Sequence, residues 1–382
     1  MRYDHAHVLG LGTDVGHLMP VSDAIQTGDY DPDEAAAAGQ QSIAMTAMLG
    51  PQLAIRAARR ALTAVHDHAG SGTPTPAVGL HLHTSLLDCG LDFWSLACHI
   101  RAQLGIGGGA ALSLGIGAMS NSAVAATETA ATYLTGRPDL DTVLITVGDS
   151  FAPPFQRYSD RGLVYGDAGT ALLMSRRPGL AKLLSTATWC EPELEGTTRP
   201  RPDPAITHTS VDLRETKRAW LTRDEARREH THTLIRAAVT ETVKTALADA
   251  DLTLEEVRWL LPPFYGRDLL QRQVLAPLGL TEDRTLAWLG TRLGHRGAAD
   301  QILALEHLAR HRLVEPGDRV LVLGVGLGLT WTAAVLEIET APAATAAGAE
   351  SHALSGTHAP SAPHDRELEW HPAKRRASIS HR

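Results

Sequence analysis

Two stretches of this chain, about 170 residues apart, repeat one order of elements, and an internal repeat restricts the fold more than any single motif does. Thr142-Val-Leu-Ile-Thr-Val-Gly148 follows a helix-like stretch and a Gly-Arg-Pro-Asp turn, while Arg319-Val-Leu-Val-Leu-Gly324 follows a helix-like stretch and Glu315-Pro-Gly-Asp318. Each reads as helix, turn and buried strand, because a short β-rich apolar run closed by glycine fills a strand covered on both faces. His7 to Gly12 reads the same way. The segments after the two repeated strands also end alike, in Gly166-Asp-Ala-Gly-Thr-Ala-Leu-Leu-Met174 and Gly326-Leu-Gly-Leu-Thr-Trp-Thr-Ala-Ala-Val335.

The pattern predicts two similar halves, residues 1–178 and 179–340, in an α/β fold. The Pro- and Arg-rich stretch from Glu191 to Pro204 reads as an insertion at their boundary, followed by a helix whose apolar face carries Ile235, Val239, Val243 and Leu247. With 382 residues, 43% of them apolar and 4% aromatic, the chain has enough small and aliphatic side chains for a closely packed shared core. From Ala341 the composition falls to Ala, Ser, Thr, Pro, His and Gly, ending in a run through Lys374, Arg375 and Arg376; residues 341–382 are expected to be a disordered, solvated tail.

A formal charge of −8 supplies no broad basic face, so nucleic acid is not an expected partner. Cys89, Cys98 and Cys190 are too few and too separated for a disulfide framework or a CxxC metal site, which fits a reducing cytoplasm. Met1 to Pro20 lacks the apolar run of a secretory signal and no stretch reaches membrane-spanning length, so a soluble, unexported protein with no membrane partner is expected.

Three stretches are candidates for chemistry. Ala110 to Leu134 opens as a strand, passes through small residues and becomes an Ala-rich helix near Ser120 or Ser122. A nucleophile at such a turn has helix N-terminal amides to stabilise developing negative charge, although the same serines suit plain N-caps. In Gly294-His-Arg-Gly-Ala-Ala-Asp300, His295 lies on a loop and Asp300 in the first turn of the next helix, where a carboxylate can orient an imidazole. The same residues read equally as a loop histidine and a surface acid favoured by the helix dipole. In Gly324-Val-Gly-Leu-Gly-Leu-Thr-Trp331 the glycines let backbone amides approach a substrate carbonyl.

That last loop is no nicotinamide site: a Rossmann fingerprint needs GxGxxG after the first strand, and Gly10-Leu-Gly-Thr-Asp-Val-Gly16 also misses its third glycine by one place. Four His-x-His pairs occur, His5/His7, His66/His68, His81/His83 and His230/His232, and in an extended strand each pair would point to one face. Without a third ligand they read as structural or surface residues, so no metal and no cofactor are expected.

Taken in order, the pieces Asp92-Phe-Trp-Ser-Leu-Ala-Cys-His-Ile100, Met119-Ser-Asn-Ser122, Gln156-Arg-Tyr158, Val164-Tyr-Gly-Asp-Ala-Gly-Thr-Ala171, Trp259-Leu-Leu-Pro262, Gly294-His295 and Gly328-Leu-Thr-Trp331 resemble β-ketoacyl-ACP synthase III from residue 5 to residue 338. The Asp-Phe-Trp-Ser and Met-Ser-Asn pieces are most similar to the divergent branch that primes aromatic polyketide synthases, as in the daunorubicin pathway, or acylates finished natural products. In that branch a serine can replace the nucleophilic cysteine. The resemblance places the nucleophile on Ser120, with Ser122 the lesser candidate. It also shows two departures: Pro263 stands for the family's first catalytic histidine and His295 for its catalytic asparagine, so the pair that stabilises an enolate in decarboxylation is absent.

What remains is Ser120, His295 and Asp300, a set with its own chemical sense: a serine hydroxyl needs a base and an orienter, whereas a thiolate can form at a helix N-terminus alone. The resemblance further implies a thiolase fold with αβαβα layers, a homodimer, acyl-CoA as substrate and an acyl carrier protein as partner. Phe93 and Trp94 would wall the acyl pocket, and amides at Ser120 and from Gly326 to Gly328 would form the oxyanion hole. The acyl group would pass to malonyl-ACP, giving a polyketide starter, or to an alcohol or amine of a natural product. Two rival classes are a thioesterase using the same triad with water and a non-catalytic subunit that binds acyl carrier protein or pairs with a ketosynthase.

Overall fold

The apolar runs become the inner strands of a nine-stranded sheet. A computed structural model describes residues 1–69, 77–87, 93–153, 155–158, 160–199 and 211–340, without the side chains of 66–69. The expected tail from Ala341 and the end of the Glu191–Pro204 stretch lie outside the described residues. The strands are β1 (His7–Val15), β2 (His17–Pro20), β3 (Ser42–Met45), β4 (Val78–Thr84), β5 (Leu112–Gly115), β6 (Thr142–Asp149), β7 (Ala168–Ser175), β8 (Ala181–Cys190), β9 (Val257–Leu261), β10 (Arg319–Gly326) and β11 (Thr330–Ile338). The helices are α1 (Val21–Thr27), α2 (Pro32–Ala38), α3 (Gly50–Ala69), α4 (Leu96–Gln103), α5 (Ser122–Gly136), α6 (Leu213–Leu221), α7 (Glu225–Asp249), α8 (Arg267–Leu270), α9 (Ala276–Leu278), α10 (Ala287–Leu293) and α11 (Asp300–Arg310).

The strand order is β5-β4-β6-β7-β1-β8-β11-β10-β9. In the first group β4 runs parallel to β5 and β6, β7 is antiparallel to β6, and β1 is antiparallel to β7. The second group repeats those senses: β9 is parallel to β10, β11 is antiparallel to β10, and β8 is antiparallel to β11. The groups meet in a narrow seam, where His7 and Val8 of β1 face Lys182 and Ala181 of β8. The Glu191–Pro204 stretch is not between the groups. It follows β8, which pairs with β11 from Ala181 to Cys190, so it lies inside the second group.

Helices α5 and α11 touch strands of both groups, whereas α3 covers β1, β6 and β7 and α7 covers β8 and β11, so the layers run helix, sheet, helix, sheet, helix. This is the thiolase arrangement. Small side chains explain the middle layer: Ala123, Ala126, Ala130 and Ala131 of α5 are buried with Val124 and Leu134, as a helix flanked by sheet requires. On α7, Val239, Val243 and Leu247 are buried and Ile235 is partly so, the stripe expected from the sequence. Among the described residues no helix is long and apolar enough to cross a membrane.

Candidate active site

Ser120 lies in a short 3-10 turn, Met119–Asn121, that leads directly into α5. Met119 has φ of 51°, a left-handed conformation that costs a non-glycine residue about 1 kcal/mol or more. Ser122 braces it: its hydroxyl donates to the Met119 carbonyl at 2.6 Å and accepts the Ala118 amide at 2.7 Å. The turn is also tied to the second strand group, since Asn121 Nδ2 donates to Thr332 Oγ1 at 2.9 Å and to Thr330 Oγ1 at 3.2 Å. This contact needs bare backbone opposite. A Cβ on Gly324 would fall 2.2 Å from Asn121 Oδ1, and one on Gly326 2.1 Å from the Ala118 carbonyl oxygen. Gly324 and Gly326 of β10 thus stand directly against the turn that carries Ser120.

His295 comes from the loop between α10 and α11, and its backbone is fastened on both sides: its amide donates to the Val164 carbonyl at 2.7 Å and its carbonyl accepts the Gly166 amide at 2.9 Å. That neighbouring strand end is rigid because Asp167 receives both Arg157 nitrogens, at 2.8 and 2.9 Å, and the amides of Phe151 and Thr46, each at 2.8 Å. The Gln156-Arg-Tyr158 and Val164-Tyr-Gly-Asp167 pieces are therefore the scaffold of the histidine.

The side chains complete a hydrogen-bonded relay. Ser120 Oγ lies 2.9 Å from His295 Nε2, and His295 Nδ1 lies 2.5 Å from Asp300 Oδ2. All three residues are buried, with Asp300 at 0% exposure. Asp300 also accepts the Phe264 amide at 2.8 Å and the Arg296 amide at 2.9 Å, and the Arg296 guanidinium stands 3.3 Å away. Burial alone would raise the Asp300 carboxyl, but His295, Arg296 and the Phe264 amide outweigh it and hold the group below the ordinary carboxylate range. An ionised carboxylate only accepts, so Nδ1 carries the imidazole proton and Nε2 offers its lone pair to the serine hydroxyl.

The structure thus brings Ser120, His295 and Asp300 together and gives Ser122 to the backbone. Gly326, the last residue of β10, lies against Ala118 and Asn121, whereas Gly328, in the turn that follows, has φ of 117° and open space where a Cβ would stand. Pro263 offers no imidazole; its carbonyl accepts the Tyr265 amide, and the next amide, that of Phe264, serves Asp300. Phe93 is fully exposed with φ of 56°, and Trp94, partly exposed, packs its ring 5.0 Å from that of His99. Asp92, which opens their motif, lies outside the described residues.

Sequence reasoning missed Arg296. It is fully buried, its guanidinium lies 4.6 Å over the Phe264 ring, and burial pulls it down against the opposing pull of Asp300. It stands inside Gly294-His-Arg-Gly297, but a loop arginine beside a helix start ordinarily reads as surface. Asp149 was missed as well; it is buried at the end of β6, and burial pushes its carboxyl up to about 7 against the pull of the Leu86 and Leu87 amides. The histidine pairs differ from one another. His81 and His83 share the Thr146 hydroxyl at 2.9 Å each, and burial lowers them to about 4 and about 3. His7 bonds Glu339 at 2.9 Å. His230 and His232 are on α7, not on a strand, so spacing by two sends them to different sides of the helix. No group of three or more potential metal ligands occurs among the described residues.

Residues 247–338 match a family profile described as the C-terminal domain of 3-oxoacyl-[acyl-carrier-protein (ACP)] synthase III. The β-ketoacyl-[acyl-carrier-protein] synthase III of Thermosynechococcus vestitus is 33% identical over 97 residues, which is 25% of this chain and 29% of that relative. That of Nostoc is 31% identical over 99 residues, again 29% of the relative, so these matches span less than a third of either protein. Among solved structures, one titled ChlB3, an acyltransferase, is 26% identical with a TM-score of 0.80, covering 89% of this chain and 99% of its own. The synthase III of Pseudomonas aeruginosa, 19% identical with a TM-score of 0.70 over 88% of this chain and 99% of its own, shares the fold. The profile spans the segment that supplies His295 and Asp300, and the structural likeness extends through the part that supplies Ser120: residues 247–338 belong to the C-terminal family of β-ketoacyl-ACP synthase III, and the chain shares the fold of these enzymes over nearly its whole described length.

Proposed function

We propose that this protein is an acyltransferase that takes a short acyl group from acyl-CoA onto Ser120 and passes it to a second acceptor. The observation that carries the reading is the unbroken relay from the Ser120 hydroxyl through His295 to Asp300. His295 Nε2 removes the serine proton as Oγ attacks the thioester carbonyl, and Asp300 stabilises the imidazolium that forms. Amides of Ser120 and of the turn from Gly326 to Gly328 receive the developing oxyanion. The tetrahedral species then collapses to an acyl-serine ester, the C–S bond breaks, and the imidazolium returns its proton to the departing CoA sulfur.

In the second half-reaction His295 deprotonates an acceptor hydroxyl or amine, which attacks the ester and restores Ser120. Malonyl-ACP is the other acceptor class, giving a polyketide starter. An oxygen or nitrogen acceptor fits the residues better, because Pro263 leaves no imidazole at that position to stabilise an enolate. Phe93 and Trp94 would line the acyl pocket of a homodimer, reaching across its interface, which accords with their exposure on the single chain. An acyl carrier protein would deliver or receive the acyl group.

The test is intact-protein mass spectrometry after incubation with a panel of acyl-CoAs. One acyl mass is expected on the peptide containing Ser120, absent in Ser120→Ala and retained in Ser120→Cys, whose thiolate depends less on His295. Steady release of free acid without an acceptor would make the protein a thioesterase. No labelling by any donor, with binding to acyl carrier protein intact, would make it a non-catalytic partner.

A further inference from the structure

One carboxyl near the relay takes no part in the acyl transfer itself. Asp149 ends β6 with 1% of its surface exposed, and its Oδ1 accepts the Leu86 amide at 2.6 Å and the Leu87 amide at 3.3 Å. Its Oδ2 is buried with no hydrogen-bond partner among the described residues. That oxygen bears on Gly297, the loop residue between His295 and Asp300: a Cβ there would fall 2.7 Å from Asp149 Oδ2 and 3.5 Å from Leu86 Cβ. Gly297 has φ of 59°, so its lack of a side chain serves both conformation and contact.

We propose that Asp149 is a positioning residue of the relay, one oxygen fastening the Leu86–Leu87 turn and the other abutting the Gly297 backbone. A single side chain then fixes the loop that carries His295 against the segment that runs on toward Phe93 and Trp94. The proposal rests on the Ser120–His295–Asp300 reading. A buried carboxylate oxygen without a donor is costly, and its retention needs a reason. The titratable groups that bear on Asp149 are His295, from the relay loop, and Asp167, the residue before β7, the latter tied to Arg157. With its carboxyl pushed up to about 7 by burial, Asp149 is neutral in mild acid and anionic above neutrality. Its ionisation thus adds a second negative charge beside the imidazole.

Asp149→Asn keeps an acceptor for the two amides and removes the charge, whereas Asp149→Ala removes both. In the full chain carrying Ser120→Ala, the titration of the His295 Cε1–H resonance, assigned by its loss in His295→Gln, should shift to lower pH by about half a unit or more in Asp149→Asn. With Ser120 present, Asp149→Ala should slow single-turnover acylation roughly 10- to 100-fold, the order expected when reacting groups are misplaced by about an ångström. Asp149→Asn should retain most of the rate while its pH profile moves with the resonance. An unmoved resonance in a folded Asp149→Asn protein would overturn the proposal, as would parental acylation by Asp149→Ala. The resonance reads Asp149 even if the wild type takes no acyl group, an outcome that would sink only the catalytic reading.

Discussion

Replacing Asp300 by Asn separates the two jobs its carboxylate performs. The carboxylate accepts from His295 Nδ1, from the Phe264 and Arg296 amides and from the Arg296 guanidinium, all in a fully buried space. An asparagine has one accepting oxygen. If that oxygen turns to the Arg296 side, its NH₂ faces His295 Nδ1, and the imidazole settles with its proton on Nε2. That nitrogen then donates to Ser120 and cannot take its proton, a trap worth roughly 10⁴-fold in Ser-His-Asp proteases with the same relay. Separately, Arg296 loses its counter-ion in a space it cannot leave, which costs about 3–5 kcal/mol, a large share of the roughly 5–15 kcal/mol that holds a domain together.

Urea unfolding and single-turnover acylation followed by mass spectrometry read the two effects apart. Asp300→Asn should lose both stability and rate. Asp300→Asn with Arg296→Met removes the uncompensated charge and should recover most of the stability, since apolar replacement of a buried pair is often neutral or favourable. The rate should stay low. Acylation by the single variant within about tenfold of the parent, alongside its loss of stability, would reduce Asp300 to a counter-ion of Arg296 and refute the relay.

His81 and His83 are held neutral by burial, with folded values of about 4 and about 3, below the unfolded value. Their contribution is complete above about pH 6.5 and is lost as pH falls through the folded values; near pH 5 these two and His307, also lowered by burial to about 4, should take up about three protons on unfolding while Asp149 releases about one, a net uptake of about two measurable by calorimetry in buffers of different ionisation enthalpy. Phe93→Ala should broaden the acyl chain lengths accepted; an unchanged preference in a folded protein would remove Phe93 from the pocket. Deleting residues 341–382 should leave acylation and thermal midpoint unaltered, because the last strand closes at Ile338; a midpoint several degrees lower would show that the tail docks.

The parts of this structure legible in the sequence are those written locally. The runs at Thr142 and Arg319 form β6 and β10 because apolar strands bounded by glycine and turn residues have few other uses. Ser120, His295 and Asp300 are legible once a serine at a helix start is asked what base would serve it. The features that stay hidden depend on contacts between distant segments. The Phe264 amide that holds Asp300 carries no side-chain signature, and the burial of Arg296 and Asp149 comes from the stacking of layers. Composition misplaces the Glu191–Pro204 stretch because it marks an insertion without telling which strand precedes it.

Ser120 comes after the strands at one end of the sheet, whereas His295 and Asp300 come from the chain between β9 and β10 at the other. No local element holds the relay, which exists only while both strand groups grip the α5 layer between them. The distance between the serine oxygen and the imidazole is therefore a gauge of global docking. Activity lost in denaturant should coincide with global unfolding, with no dead but folded intermediate preceding it. On the proposed mechanism, chemistry and core packing share one interface: a core substitution that slides one sheet by an ångström is also a substitution in the candidate active site.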